Sequence, residues 1–248
     1  MSPGLLVTLR ITHWNQNTGS LNDMSALDPT QTLVERSMAI CDIESVSSNE
    51  AKLADEIEQI LTTASHLSIT RDGNAIVART NLNRDTRVII AGHIDTVPVA
   101  ENLPTRLHHF EREQVIFGRG TVDMKGGIAV MLKLAVEIQQ PKFDVTWIFY
   151  DNEEVAADLN GLGRLASNHP ELLTGEFAVL CEPTSAMIEG GCNGTVRVEV
   201  RTVGIKAHSA RPWMGKNAIH ELAHSINILN DYQPATVTVD GLDYKESL

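Results

Sequence analysis

His93 and Asp95 stand two residues apart in AGHIDTVP, at the end of the apolar run Val88-Ile89-Ile90-Ala91. On a β-strand, residues i and i+2 project to the same side. The imidazole and the carboxylate would then share a face at the strand's carboxyl end, with Ile94 turned the other way. A carboxylate so placed can hold one imidazole N–H and leave the other ring nitrogen for a metal ion. A capped strand end with a hydrogen-bonded histidine is the competing reading, and these residues alone leave both open.

Three further segments bring acidic groups to the ends of apolar runs: Asp123 in GRGTVDMKGG, the pair Glu153-Glu154 in DNEEVA, and Glu182 in CEPT. Gathered at one sheet edge, such groups crowd negative charge unless a cation neutralises it. Imidazole with hard carboxylates and no thiolate suits Zn²⁺, Mn²⁺ or Co²⁺ in a catalytic rather than a structural site. Solvated strand ends are the alternative. Adjacent Glu153 and Glu154 can do different work: one binds metal while its neighbour stays free as a general base toward water.

The elements that must position these groups are legible in outline. Asp28-Pro29 reads as an N-cap and first helical residue, opening a helix to about Asp42. Ser47-Ser48-Asn49-Glu50 has the spacing of a capping box, followed by a helix with Leu53, Ile57, Ile60 and Leu61 on one face. SITRDGNAIVART reads as two short strands around Asp72-Gly73. After the strand ending at His93 come a glycine-rich turn and a helix burying Ile128, Met131, Leu132, Ala135 and Val136, closed by Pro141. DVTWIFY and EFAVL are apolar strands. Continuous apolar strands alternating with helices indicate an α/β fold, a mostly parallel sheet with helices on both faces and its site outside the strands' carboxyl ends. From Gly191 the pattern changes. TVRVEVRTVG alternates as a half-wet antiparallel strand, Asn217 opens a helix to about Asp231, and ATVTVDGLDY reads as another strand. This is the start of a small α+β domain. The expected division is 1–23, 24–190 and 191–248.

Composition narrows the function classes. A net charge of −12 argues against nucleic-acid and anionic-membrane partners. Three cysteines without C-x-x-C spacing suggest a reducing compartment rather than a disulfide framework. Residues 1–23 are too polar for a signal peptide's apolar core, fit a transit peptide weakly, and read as a disordered extension. HELAH, residues 220–224, matches the zinc-protease pattern H-E-x-x-H. With Glu246 alone available downstream as third ligand, it reads as the polar face of a helix. GRGTVDMKGG is neither a dinucleotide fingerprint nor a P-loop.

In order along the chain, GHIDTVP, GRGTVDMKGG, DNEEVA, CEPT, GCNGTVRV and GIKAHSARPWMGKNAIH resemble the two-zinc aminoacylase and acetylornithine-deacetylase family, from about Met24 to Leu248. The resemblance implies a zinc-peptidase-like catalytic domain and a lid or dimerisation domain. It implies that His93, Asp123 and Glu182 hold one metal, with Asp95 as the partner of His93. Asp123 would bridge to a second metal that Glu154 also binds, and Glu153 would be the general base and acid. His208 would reach the neighbouring subunit's site in a homodimer and stabilise the oxyanion. Arg211 and Asn217 would help hold substrate carboxylates. The implied cofactor is Zn²⁺, two per site, with Co²⁺ a possible substitute. The implied substrate is a small N-acylated amino acid, which HSARPWMGKNAIH narrows to N-succinyl-LL-2,6-diaminopimelate, on the route to lysine in the cytoplasm. N-acetylornithine is the nearest rival. The family's second metal takes a final histidine from a segment after the lid, and Leu248 falls inside the lid. The resemblance is therefore to a C-terminally shortened member, its second site one ligand short. A remnant that only binds one metal or a partner is a reading from another class.

Overall fold

The computed structural model describes residues 27–110, 113–191 and 194–247. The expected extension, residues 1–23, lies outside them. The chain divides into two compact units, Met1–Ser185 and Ala186–Leu248.

The strands of the first unit are β1 (Ser68–Asp72), β2 (Ala75–Arg79), β3 (Arg87–His93), β4 (Arg106–Phe110), β5 (Glu113–Phe117), β6 (Asp144–Tyr150) and β7 (Phe177–Leu180). Five form one sheet in the order β1-β2-β6-β3-β7. β3 is parallel to both its neighbours, β6 and β7, while β2 is antiparallel to β6 and to β1. The centre is thus parallel as expected, and the hairpin around Asp72-Gly73 widens it with two antiparallel strands. Every residue of β6 is buried, which explains why its sequence is mostly apolar on both faces, with Asp144 and Thr146 its two polar residues.

Helices cover both faces. On one side, α1 (Leu33–Asp42), α2 (Ala51–Thr62) and α3 (Lys125–Glu137) contribute Ile40, Leu53, Ile57, Ile128 and Leu132 to a core shared with Ile76, Trp147 and Phe149. On the other, α4 (Gly161–Asn168) and the 3-10 turn Pro170–Leu173 set Leu165 and Leu172 against Val77, Ala91 and Ile148. Successive residues of β2 and β6 therefore enter opposite cores, as the two-residue period of a strand requires.

Several local expectations are corrected. α1 starts four residues beyond Pro29: Thr32 is its N-cap and forms the capping box with Glu35. Asp28 instead accepts the backbone N–H and the hydroxyl of Thr30, a local turn that competes with helix. Ser47–Glu50 makes no capping box, and α2 begins without a side-chain cap. The Glu50 carboxylate serves another loop, described below. β4 pairs with β5 in an antiparallel hairpin of its own.

In the second unit the described residues hold α5 (Ala218–Glu221), α6 (Ala223–Asp231) and the hairpin β8 (Thr236–Val239)–β9 (Leu242–Lys245). ATVTVDGLDY is two strands rather than one, because Asp240 and Gly241 both take positive φ (51° and 83°) and reverse the chain. TVRVEVRTVG is not a strand: its described residues have no ladder partner, and Val196 and Val198 stay 87% and 75% exposed. Alternation marks a surface that could be half buried, but a strand also needs a neighbour for its N–H and C=O groups. The helix expected from Asn217 is interrupted at Leu222, between α5 and α6.

Candidate metal centre

The site is assembled by the register of the three parallel strands. His93 lies opposite Tyr150 of β6, and Ala91 opposite Leu180 of β7. The Ile94 N–H donates to the Tyr150 carbonyl at 2.8 Å, and the Cys181 N–H to the Ala91 carbonyl at 2.9 Å. Three chain segments therefore leave the sheet at one level: His93 from the middle, Asp151–Glu154 after β6, and Glu182 after β7. Asp123 arrives from the turn ahead of α3. That turn comes close because position 92 has no side chain. A Cβ at Gly92 would stand 2.4 Å from Met124 Cε and 3.0 Å from Ile128 Cδ1.

His93 is buried, with its Nε2 3.0 Å from Asp123 Oδ1 and 3.9 Å from Glu182 Oε2. One ligand atom from each of His93, Asp123 and Glu182 lies within 4.8 Å of the others. The other ring nitrogen, Nδ1, is 3.1 Å from the Asp95 backbone carbonyl and 3.3 Å from Asp95 Oδ1. Asp95 thus lies against His93, but from beyond the last residue of β3, so shared strand facing is not what brings them together. Its carboxylate also has a second task. Oδ1 accepts the Glu153 N–H at 3.0 Å, while Oδ2 accepts the Glu154 N–H at 3.1 Å and the Ser47 hydroxyl at 2.7 Å.

The electrostatics show an excess of carboxylate. Burial by itself would make the His93 imidazole harder to protonate. Hydrogen bonds to Asp123 and Asp95, with the charges of Asp95 and Glu182, outweigh it and lift the ring to about 10. Burial also works against a charged Asp95, yet its bonds to His93, Glu153, Ser47 and Glu154 hold it down at about 2. Glu154 is raised, first by burial and then by Asp123. Glu182 is raised by burial and by Asp123, against the pull of His93. A proton on an imidazole is thus held by the surrounding acids, the condition that also favours a divalent cation. The donor set passes the chemical test for one: one imidazole nitrogen and two carboxylate oxygens, the carboxylates 51% and 35% exposed, which leaves a side open to solvent.

Glu154 is not one of the three residues within 4.8 Å. It lines, with Asp123, a cleft of about 390 Å³. Glu153 is exposed at the same turn. His208, Arg211 and Asn217 belong to the second unit and are exposed. There His208 Nδ1 accepts the Ala210 N–H, the Arg211 N–H donates to the His208 carbonyl, and the Asn217 side chain caps α5 by accepting from the Ile219 N–H. His220 and His224 lie on α5 and α6, both exposed.

A residue that sequence reasoning passed over is Glu50. It is fully buried, and its carboxylate accepts the Ser48 N–H at 2.7 Å, the Asn74 amide at 3.2 Å and the Asn152 N–H at 3.3 Å. Asn152, at φ 57°, immediately precedes Glu153. Two buried carboxylates, Asp95 and Glu50, therefore hold the backbone of the Glu153-Glu154 turn. The serine-to-glutamate spacing at 47–50 was the available signal, and it points equally well to a helix cap.

Comparisons with known proteins identify the family and the fold. The chain is 48% identical over 216 residues to the protein named DapE in Mycobacterium tuberculosis, covering 87% of this chain and 60% of that one. It is 44% identical over 214 residues to the succinyl-diaminopimelate desuccinylase of Corynebacterium glutamicum, covering 84% and 57%. The chain thus spans about 60% of the length of the curated relatives it matches. Among solved structures, a tripeptidase from Staphylococcus aureus superposes with a TM-score of 0.56 at 15% identity, over 84% of this chain and 61% of the other. An M20 family metallo-carboxypeptidase from Sulfolobus solfataricus gives 0.54 at 16% identity, over 81% and 50%. These two show a shared fold. A family profile matches residues 89–240, the span that holds His93, Asp95, Asp123, Glu153, Glu154 and Glu182, and the chain belongs to peptidase family M20/M25/M40.

Proposed function

We propose that this chain carries the catalytic centre of a metal-dependent amide hydrolase that cleaves N-succinyl-LL-2,6-diaminopimelate to succinate and LL-2,6-diaminopimelate in the cytoplasm. The observation that carries the reading is the double use of Asp95. One carboxylate sits against Nδ1 of His93, whose Nε2 turns toward Asp123 and Glu182, and it also holds the backbone of Glu153 and Glu154. A metal-ligand side and an acid–base side are thereby built on one buried group. The names of the relatives support the succinyl substrate.

In this proposal His93, Asp123 and Glu182 hold one Zn²⁺, for which Co²⁺ can substitute, and Asp123 and Glu154 contribute to a second. Metal held there would supply Lewis-acid polarisation of the acyl carbonyl and would ease deprotonation of water. Glu153 acts as general base and then acid. It takes a proton from the water whose oxygen bonds to the carbonyl carbon, and it delivers that proton to the amine nitrogen as the C–N bond breaks. Asp95 fixes the His93 ring and keeps the Glu153 backbone in place. His208 stabilises the oxyanion from a neighbouring subunit of a homodimer formed through the second unit, and Arg211 and Asn217 hold substrate carboxylates.

The test is turnover by protein loaded with Zn²⁺ or Co²⁺, offered N-succinyl-LL-2,6-diaminopimelate and N-acetylornithine separately, with the released amine quantified. Release from the succinyl substrate is expected. Preference for acetylornithine moves the assignment to deacetylation, and release from neither removes it.

A further inference from the structure

Consecutive backbone N–H groups in the DNEE turn end on two different buried carboxylates. Those of Glu153 and Glu154 donate to Asp95 at 3.0 and 3.1 Å, and that of Asn152 donates to Glu50 Oε1 at 3.3 Å. Asn152 takes φ 57°, a left-handed conformation uncommon outside glycine. Its side chain is held as well: Oδ1 accepts the Ser48 hydroxyl at 2.7 Å, and Nδ2 donates to Asp151 Oδ2 at 2.8 Å. Glu50 stands at the N-cap of α2 but leaves that helix without a side-chain cap. Its Oε1 takes the N–H groups of Asn152 and Ser48, and its Oε2 takes the Asn74 amide. Behind it Leu53, Ala54 and Ile57 are fully buried and seat α2 in the core, so the carboxylate is mounted on a rigid element. The residues just ahead of Glu50 grip the other arm of the site: the Ser47 hydroxyl donates to Asp95 Oδ2 at 2.7 Å, and the Ser45 hydroxyl to the Ile94 carbonyl at 2.6 Å.

We infer that Glu50 is a positioning residue for Glu153: through the reach of its side chain rather than its charge, it fixes the backbone of Asn152 and with it the direction in which Glu153 leaves the turn. The inference rests on the amide-hydrolase reading, in which Glu153 moves the proton. Glu50 is fully buried and is not among the residues that line the cleft, so it acts through the turn and not on a ligand. The Glu153 carboxylate makes no hydrogen bond among the described residues, which leaves its main chain to aim it. Two neighbouring N–H bonds to the single Asp95 carboxylate allow the turn to pivot about that group. A bond one residue upstream, to a second carboxylate on another element, removes the pivot. The stake is high, because a displacement of about 1 Å at a reacting group can cost about 100-fold in rate. Reach and charge are separable at this position. Glutamine keeps the length: its carbonyl oxygen accepts the Asn152 and Ser48 N–H groups, and its amide donates to Asn74 once that side-chain amide turns over. Aspartate keeps the charge and is one methylene too short.

The experiment compares the zinc-loaded chain as wild type, Glu50→Asp and Glu50→Gln. It records kcat and KM for N-succinyl-LL-2,6-diaminopimelate, zinc content, and amide hydrogen exchange. Glu50→Asp is expected to lower kcat at least about tenfold with KM and zinc content little changed, and Glu50→Gln to lose much less. The Asn152 and Glu153 amides should exchange at least about tenfold faster in Glu50→Asp, while those of β3 and β6 keep their rates. In a Glu153→Ala background, Glu50→Asp should lower the residual rate no further, because its effect passes through Glu153. The reverse order, with Glu50→Asp the milder change, makes charge the cause and overturns the inference. An additive loss in the Glu153→Ala background, loss of zinc from Glu50→Asp, or exchange that is unaltered at Asn152 or loosened throughout β3 and β6 also overturns it. If Glu50→Asp fails to fold, Asn74→Ala decides, since it frees the other oxygen of Glu50 at a partly exposed position: unchanged kcat and unchanged Asn152 exchange there overturn the inference. Turnover separates this from the proposed function. Hydrolysis indifferent to Glu50 sinks the positioning role alone. A wild type that hydrolyses nothing sinks the enzyme assignment, and the exchange pattern then decides whether Glu50 holds the turn.

Discussion

The Asp95 carboxylate accepts the backbone N–H of Glu153 at 3.0 Å, although 58 residues separate the two in sequence. The acid–base candidate is thus held by its main chain, and its own carboxylate is exposed and makes no hydrogen bond among the described residues. The same Asp95 side chain lies against His93, so the proposed metal side and the proposed proton-transfer side share one support.

That division of labour predicts opposite phenotypes for the two glutamates. Glu153→Ala should lower kcat for the N-succinyl substrate by at least about 100-fold, the scale of lost acid–base catalysis, with metal content nearly unchanged. Glu154→Ala should lose metal. Metal analysis beside steady-state kinetics checks both, and the reverse pattern would mean that the roles are exchanged.

Replacing Asp95 should harm both sides together. Asp95→Ala leaves the Glu153 and Glu154 N–H groups and the Ser47 hydroxyl without their acceptor, a carboxylate that is itself fully buried. A loss of about 2–3 kcal/mol in unfolding free energy is expected. Zinc affinity should fall by about 10–100-fold through the unsupported His93 ring. Urea unfolding of the metal-free protein and competitive zinc titration separate the two effects.

Arg164 supports the same turn from outside. Its guanidinium bonds the buried Asp151 at 2.6 and 3.2 Å, and it reaches Asp72 at 3.1 Å. Asp151 begins the DNEE segment. Arg164→Ala would strand the Asp151 charge. A buried pair broken on one side costs about 3–5 kcal/mol, and the partial exposure of Arg164 brings the expected loss to about 2 kcal/mol. Chemical denaturation of the variant gives the value. A change below the error of the measurement would show that water replaces the arginine.

Acid should act through Asp144. Burial disfavours its charge, but hydrogen bonds from the Leu82 and Arg84 N–H groups and the Thr80 hydroxyl prevail and hold its pKa below the ordinary carboxylate value. A carboxylate depressed in the folded state contributes stability above its unfolded pKa of about 3.9. That contribution drains away as pH falls through the folded value. Wild-type stability should therefore drop below about pH 4, and Asp144→Asn should be less stable at neutral pH with a shallower acid slope. Urea midpoints between about pH 3 and pH 7 measure both slopes; identical slopes would remove Asp144 as a cause.

The HELAH pattern should be silent. His220 and His224 are exposed on α5 and α6, and the cluster of potential ligands found among the described residues lies in the first unit. Changing either histidine to alanine should leave the tightest zinc in place. Its loss in either variant would revive the zinc-protease reading.

The sequence by itself determined the elements and the chemistry on offer. Apolar runs ending in His93 and before the Glu153-Glu154 pair are visible because a buried parallel strand needs largely apolar residues, and its end must turn polar where it meets water; the run before Glu182 is equally visible although β7, at the sheet's edge, is exposed. The donor types are equally visible, since imidazole and carboxylate without thiolate already select a class of metal. Local capping was less legible. Thr32 rather than Asp28 caps α1, and Ser47–Glu50 caps nothing, because the same short side chains satisfy turns and remote loops as readily as helix ends.

Tertiary structure decided which of these groups meet. The order β6-β3-β7 and the registers His93–Tyr150 and Ala91–Leu180 bring residues dozens of positions apart to one level of the sheet, and nothing local encodes a register. The close approach at Gly92 brings in the Asp123 turn. Burial then gives Asp95 and Glu50 their meaning. In sequence each is one more acid in a chain of net charge −12, but in the fold each is a carboxylate cut off from water that must take its hydrogen bonds from the backbone around Glu153.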